Sequence, residues 1–215
     1  GNVKQISRGS EILWKKNGLT LINAIIGTGT QYIKLGKKIR QNYTIEMMIE
    51  TTSQTNTASN EIFGAALESG SWPNGMSILI YQGANVYFYK NYYNFAPTSQ
   101  GFWTAGRTMK ISNTDTSLTF QRIENGSIVE TVNVNVSGNL SGLTREAYLM
   151  RFNTDQNFGY KAGMFKFKSL KVWDENKNLV MNIVPALDGS GIPCVVDLVD
   201  NRILYNAGTG EFGYE

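Results

Sequence analysis

Residues 164–173, MFKFKSLKVW, constrain the chain more than any other stretch. Phe165 and Phe167 alternate with lysines, and then the apolar phase jumps by one residue to Leu170 and Val172. A β-strand has a period of two. All four side chains can face one core only if an extra residue is accommodated, most simply as a bulge at Lys168-Ser169. A second apolar run, 179–184 (LVMNIV), follows the five polar residues Asp174-Glu175-Asn176-Lys177-Asn178, whose composition is that of a hairpin loop. Beyond Pro185 turn residues dominate. The closing segments DLVDNR and YNAGTGEF are expected to wrap back over the sheet and plug one end of it.

The same period recurs along the rest of the chain. Within 39–52, Ile45, Met47 and Ile49 fall on one face and Thr44, Glu46, Met48 and Glu50 on the other. In 132–136, Val132, Val134 and Val136 are expected to be buried, with Asn133 and Asn135 outside. Glu124-Asn125-Gly126 is a hairpin turn by composition. Further short strands are expected at 19–26, 31–35, 61–67, 76–81, 85–90, 108–112, 117–123 and 147–152, and no segment has a convincing helical period. Turn signals about every ten residues argue an all-β, two-sheet antiparallel sandwich. Residues 1–18 read as a small N-terminal hairpin and linker, and 19–215 as the main domain.

The closing residues, KVWD, LVMNIVPA, DLV and YNAGTGEF, resemble the end of the LamG-like jelly-roll domain of bacteriophage tail and minor structural proteins. That family belongs to the concanavalin A-like lectin/glucanase superfamily. Residues 27–36, GTGTQYIKLG, are similar to its opening stretch, and 3–14 resemble the short hairpin that precedes it. The resemblance implies a jelly roll in a phage or prophage virion. The implied partners are a host cell-surface glycan, other tail or baseplate proteins and further copies of the chain. The alternative setting is a secreted or surface-attached bacterial carbohydrate-binding module.

Composition narrows the chemistry. The chain has 215 residues, enough for a full core. Its net charge of +3 is spread without a basic block, which argues against nucleic acid. No apolar run reaches the length of a membrane span. There is no histidine, which removes Ser-His and Cys-His nucleophiles and the commonest zinc ligand. The single cysteine, Cys194, stands beside Val195 and Val196 and is expected in the core.

Three sets of residues could carry a function. Glu46 and Glu50 share a strand face, as do the paired glutamates of superfamily glucanases. Here Met48 replaces the intervening acid, so the expectation is no catalysis. Residues 87–95 hold six aromatics in nine positions (YFYKNYYNF). Sugar rings stack their C–H faces on such rings while amides and ammonium groups take the hydroxyls. Period two points Phe88 inward and its neighbours outward. The candidate carbohydrate contacts are therefore Tyr87, Tyr89, Lys90, Asn91, Tyr92, Tyr93, Asn94 and Trp103. Packing under a loop or a neighbouring subunit is the other account of these aromatics. Laminin-type relatives bind calcium through acidic loops, and Asp155 offers oxygens in RFNTDQN. One acid in a polar turn is thin, and no cofactor is expected.

Overall fold

The computed structural model describes residues 18–40, 42–55, 60–66, 75–81, 85–90, 93–99, 101–114, 116–135, 145–153 and 161–215. The strands begin with β1 (Thr20–Leu21), β2 (Ile25–Ile26), β3 (Ile33–Lys38), β4 (Thr44–Thr51), β5 (Asn60–Ala66), β6 (Gly75–Tyr81), β7 (Asn85–Lys90) and β8 (Tyr93–Pro97). A meander follows: β9 (Thr108–Asn113), β10 (Ser117–Glu124) and β11 (Ser127–Asn135). Then come β12 (Glu146–Leu149), β13 (Phe152–Asn153), β14 (Lys161–Ala162), β15 (Phe165–Trp173) and β16 (Leu179–Leu187). The chain closes with β17 (Pro193–Asp197), β18 (Arg202–Leu204) and β19 (Gly213–Tyr214).

These strands form a two-sheet jelly-roll sandwich. Sheet A runs β11-β10-β9-β4-β15-β16-β17-β18, with β1, β2 and β19 at its side; sheet B runs β3-β12-β5-β6-β7-β8. Pairing is antiparallel except where β13 and β14 lie parallel to β5. The core lies between the sheets. Ile45, Met47, Ile49, Phe165 and Phe167 come from sheet A, and Ile33, Leu35, Phe63, Ile78 and Ile80 from sheet B. Burying each such side chain contributes about 1.5–3 kcal/mol.

The phase argument for β15 holds. Register against β4 slips between Phe167 and Ser169, leaving Lys168 without an opposite residue. Phe165, Phe167, Leu170 and Val172 are all fully buried, while Lys168 and Ser169 both stay on the outer side. The meander also follows its alternation. Val134 is buried, Val132 packs partly buried against the core, and Asn133 and Asn135 are exposed; Val136 lies outside the described residues. Asn125 and Gly126 both have positive φ (50° and 76°), the backbone of a two-residue hairpin turn that matches strand twist.

The strand after the hairpin loop extends further than its sequence suggests. β16 continues through Pro185 to Leu187, because at that point β1 lies alongside it and Ile22 N–H donates to the Pro185 carbonyl. On the outer side of β16 and β17, Ala186, Cys194 and Val196 form a second small cluster under Leu19. Cys194 is therefore buried as expected, and burial pushes its thiol up to about 12.

The tail returns as a plug. Ala207 N–H donates to the Tyr32 carbonyl, Asn206 Oδ1 accepts from Tyr32 N–H at 3.2 Å, and Gln31 Nε2 donates to the Glu211 carbonyl at 3.1 Å. Phe212 then enters the main core. The hairpin expected within 1–18 falls almost wholly outside the described residues.

Candidate functional site

The outer face of sheet B follows from register. Ile78 and Ile80 belong to the core, so Ser77 and Leu79 are on the side away from it. Tyr87 pairs opposite Leu79 and Tyr89 opposite Ser77, while Phe88 pairs opposite Ile78. Tyr93 pairs opposite Tyr89. In the other direction Ser77 is opposite Gly64, Gly64 opposite Tyr148, and Tyr148 opposite Lys34. One row thus crosses the whole sheet: Lys34, Tyr148, Gly64, Ser77, Tyr89, Tyr93.

At the β3–β12 end the side chains are closely packed. Tyr32 and Tyr148 stack with centroids 5.1 Å apart. Lys34 Nζ lies 5.8 Å from the centre of the Tyr148 ring, and the Arg151 guanidinium 4.9 Å from that of Tyr32. Each such contact contributes on the order of 0.5–1 kcal/mol and fixes ring orientation. The alternation Ala147-Tyr148-Leu149, buried residues flanking a tyrosine, was the only local signal for this pair.

Register separates the eight sequence-predicted residues. Tyr87, Tyr89 and Tyr93 occupy positions on the outer side. Lys90 pairs opposite Met76 and Asn94 opposite Phe88, which is the core side. Asn91 and Tyr92 lie outside the described residues. Trp103 was expected outward and is not: it is 1% exposed, edge-on to Phe102 at 4.8 Å and to Phe120 at 5.8 Å. The turns around Gly101 and Gly106 fold it under the sheets, and turns carry no period from which sequence could assign a side.

The middle of this face is roofed. After β12 the chain reverses at Met150 (φ 65°), and Phe152 covers Gly64 so closely that a Cβ there would lie 3.0 Å from its ring. Beside it Glu61 is 6% exposed, and its Oε2 accepts from Phe152 N–H at 3.2 Å. Burial pushes the Glu61 carboxyl up to about 7, against the lowering influence of that N–H and of Arg151. A raised folded pKa means stability that is fully present below about 4.5 and lost as pH rises through about 7. Glu61→Gln should therefore match the parent at pH 4.5 and be more stable by about 3 kcal/mol at pH 8. Urea melts at the two pH values check this; equal stability at pH 8 would contradict it.

Glu46 and Glu50 stand on the outer face of sheet A. Glu46 Oε2 is 2.7 Å from Lys110 Nζ, and Glu50 bridges Lys166 at 2.8 Å and Lys168 at 2.6 Å. For Glu50, partial burial pushes the carboxyl up, but hydrogen bonds from Lys166 and Lys168 outweigh it and hold it below the usual range. A glycosidase acid needs a raised pKa, so this shift runs the wrong way. Asp155 lies outside the described residues, among which no group of three or more acidic or cysteine side chains could hold a metal.

No family model matches the chain, and no curated protein matches it either. Among solved structures it is similar to the mouse laminin α1 chain, domains LG4-5, at 13% identity and TM-score 0.47 over 76% of this chain and 46% of that one. It is also similar to a candidate carbohydrate-binding protein from Bacteroides ovatus, at 13% identity and TM-score 0.49 over 91% of this chain and 60% of that one. A fainter likeness is to scytalido-glutamic peptidase, at 13% identity and TM-score 0.34 over 89% of both chains. The chain spans about half the length of the laminin fragment and 60% of the Bacteroides protein.

Proposed function

We propose that this is a non-catalytic recognition domain that binds cell-surface carbohydrate through the outer face of sheet B. Its setting is a phage or prophage tail or baseplate, where it meets a host glycan. The observation that carries the reading is the cross-sheet row with tyrosine positions at both ends, Tyr148 at one and Tyr89 and Tyr93 at the other. Single sugar contacts are weak, so more than one aromatic face is needed to offset the cost of association. The two ends of the row supply such faces on either side of the roofed middle. The cations beside Tyr32 and Tyr148 add hydrogen-bond donors at the rim. The virion setting rests on the resemblance of the closing segments, DLV and YNAGTGEF, to phage tail domains.

The test is a glycan array followed by calorimetry on the best binder, with Tyr89→Ala and Tyr148→Ala beside the parent. Each variant should lose about 1–2 kcal/mol of affinity, the scale of a truncated aromatic contact. Melting curves must first show both variants folded. Parent-like affinity in both variants would reject this face.

A further inference from the structure

The opposite sheet carries a separate depression. At the start of β4, where β15 enters its hairpin loop, an open cleft of about 390 Å³ is lined by Thr44, Ile45, Glu46, Ser112, Trp173 and Lys177. None of these belongs to the aromatic run of 85–97 or to the tyrosine row of sheet B. Trp173 is half-buried on a sheet face where its neighbours on β4, β9 and β15 are charged or hydroxyl side chains apart from Met48. An indole on such a face has no core to join.

The polar groups around the indole are uncommitted. Among the described residues, the hydroxyls of Thr44 and Ser112, the indole Nε1 of Trp173 and the ammonium of Lys177 make no hydrogen bond or ion pair. Glu46 gives one carboxylate oxygen to Lys110 at 2.7 Å. The cleft therefore offers two hydroxyls, three N–H or ammonium donors counting Lys110, and a carboxylate, all beside one flat apolar wall.

The frame is rigid. Asn113, buried at the end of β9, accepts from Ile45 N–H at 2.6 Å and donates to the Tyr43 carbonyl at 3.1 Å, clamping the start of β4. Lys177 is held in the left-handed region (φ 66°), uncommon for a residue with a side chain. Asp174 fixes that loop by accepting from Asn176 N–H at 2.9 Å, Asn178 N–H at 2.8 Å and Asn178 Nδ2 at 3.0 Å. A preset frame lowers the ordering cost of binding.

Elimination identifies the ligand class. A lone carboxylate already paired with lysine cannot satisfy a hard cation, which wants six or more oxygens. Among the described residues, phosphate and other anions would find only Lys177 in the cleft as an unpaired cation, since Lys110 is already engaged by Glu46, and would leave the indole wall without an apolar partner. A lipid or an apolar peptide would strand the hydroxyls and the ion pair without partners. A ring with one apolar C–H face and hydroxyls on its rim satisfies both the indole and the polar groups. We infer that the Trp173 cleft is a saccharide subsite, holding one neutral pyranose ring stacked on the indole and bonded to Thr44, Glu46, Ser112 and Lys177.

The chain has four tryptophans, so a ¹⁵N-labelled sample gives a small set of indole N–H resonances, and Trp173→Phe assigns that of Trp173 by its loss. The probes are soluble tetrasaccharides of glucose, galactose, mannose and N-acetylglucosamine. At least one should shift the Trp173 signal while that of buried Trp103 stays fixed. Trp173→Ala should then weaken that sugar about tenfold or more, and Ser112→Ala about threefold, with melting temperatures near the parent's. If no probe moves the Trp173 resonance, or if Trp173→Ala keeps the parent's affinity, the subsite is rejected. Tyr89→Ala run in parallel separates the two faces. A Trp173 shift that survives this substitution while array binding falls assigns both faces, whereas array binding that survives it counts against sheet B alone.

Discussion

Asp197→Ala should destabilise the domain by about 3 kcal/mol, measured by urea denaturation at pH 7. Asp197 is fully buried at the end of β17. Its Oδ1 accepts from the backbone N–H of Asn182 and of Val199, both at 3.1 Å. Its Oδ2 faces Lys37 Nζ and Arg202 Nη2, each at 3.6 Å, which is ion-pair range rather than hydrogen-bond range. Truncation orphans two N–H donors, at about 1–3 kcal/mol for a buried group, and leaves two cations without their inner counter-charge. Those cations are partly exposed and keep Asp200, at 2.7 Å from Lys37 and 3.3 Å from Arg202, so the full 3–5 kcal/mol of a broken buried pair is not expected. Asp197→Asn retains the Oδ1 acceptor and should cost roughly half as much. Asp200→Ala, on a side chain 35% exposed, should cost under about 1 kcal/mol. Equal losses at 197 and 200 would show that the network acts only through net charge.

The order of these effects mirrors what the sequence could reveal. β4 and β15 were legible because each buries one face, so alternation and even the one-residue slip at Lys168 are written in the residue order. β17 was not. Its residues Cys194, Val195, Val196 and Asp197 are buried on both sides, one facing the main core and the other the small cluster under Leu19. A strand covered on both faces has no period to read. The sequence marked DLV as part of the closing motif without indicating that its aspartate is the buried acceptor that ties β16, β17 and β18 together.

The candidate site divides the same way. Tyr87 and Tyr89 lie on the side that period two assigns, because β7 is a regular strand. Tyr32 and Tyr148 were missed because their stacking depends on β3 pairing with β12 across most of the chain, and neither neighbourhood is rich in aromatics. Trp103 was misplaced because nearness in sequence to an aromatic run says nothing about a turn. Trp173 closes the run 164–173, and after the bulge its parity is that of Ser169 and Lys171, so it belongs on the outside. Accounting for the slip at Lys168 assigns that side from sequence alone; the cleft beside it required the loop geometry.

Gly208→Ala should cost about 2–3 kcal/mol and should unseat the tail before the rest of the sandwich melts. A Cβ at Gly208 would lie 2.0 Å from the Thr30 carbonyl oxygen and 3.0 Å from the Tyr32 ring. The first contact is with backbone, so relief requires moving the tail rather than turning a side chain, which is the expensive form of overpacking. Movement there breaks a local set of bonds: Ala207 N–H to the Tyr32 carbonyl, Thr30 Oγ1 to the Thr209 carbonyl at 2.8 Å, and Asn206 Oδ1 from Gly208 N–H at 2.9 Å. It would also draw Phe212 from the core. Gly191→Ala is the control, since Gly191 has φ 79° and nothing within 4 Å of a Cβ. That substitution carries only the left-handed backbone cost, about 1–2 kcal/mol. Hydrogen exchange separates the two. Gly208→Ala should speed exchange at Ala207 N–H and Tyr32 N–H by at least tenfold while β4 and β15 stay protected. Gly191→Ala should leave the tail amides unchanged. Parent-like stability and parent-like exchange in Gly208→Ala would mean that the tail does not pack against Thr30 and Tyr32, and that the GTG of the closing segment is not there for close approach.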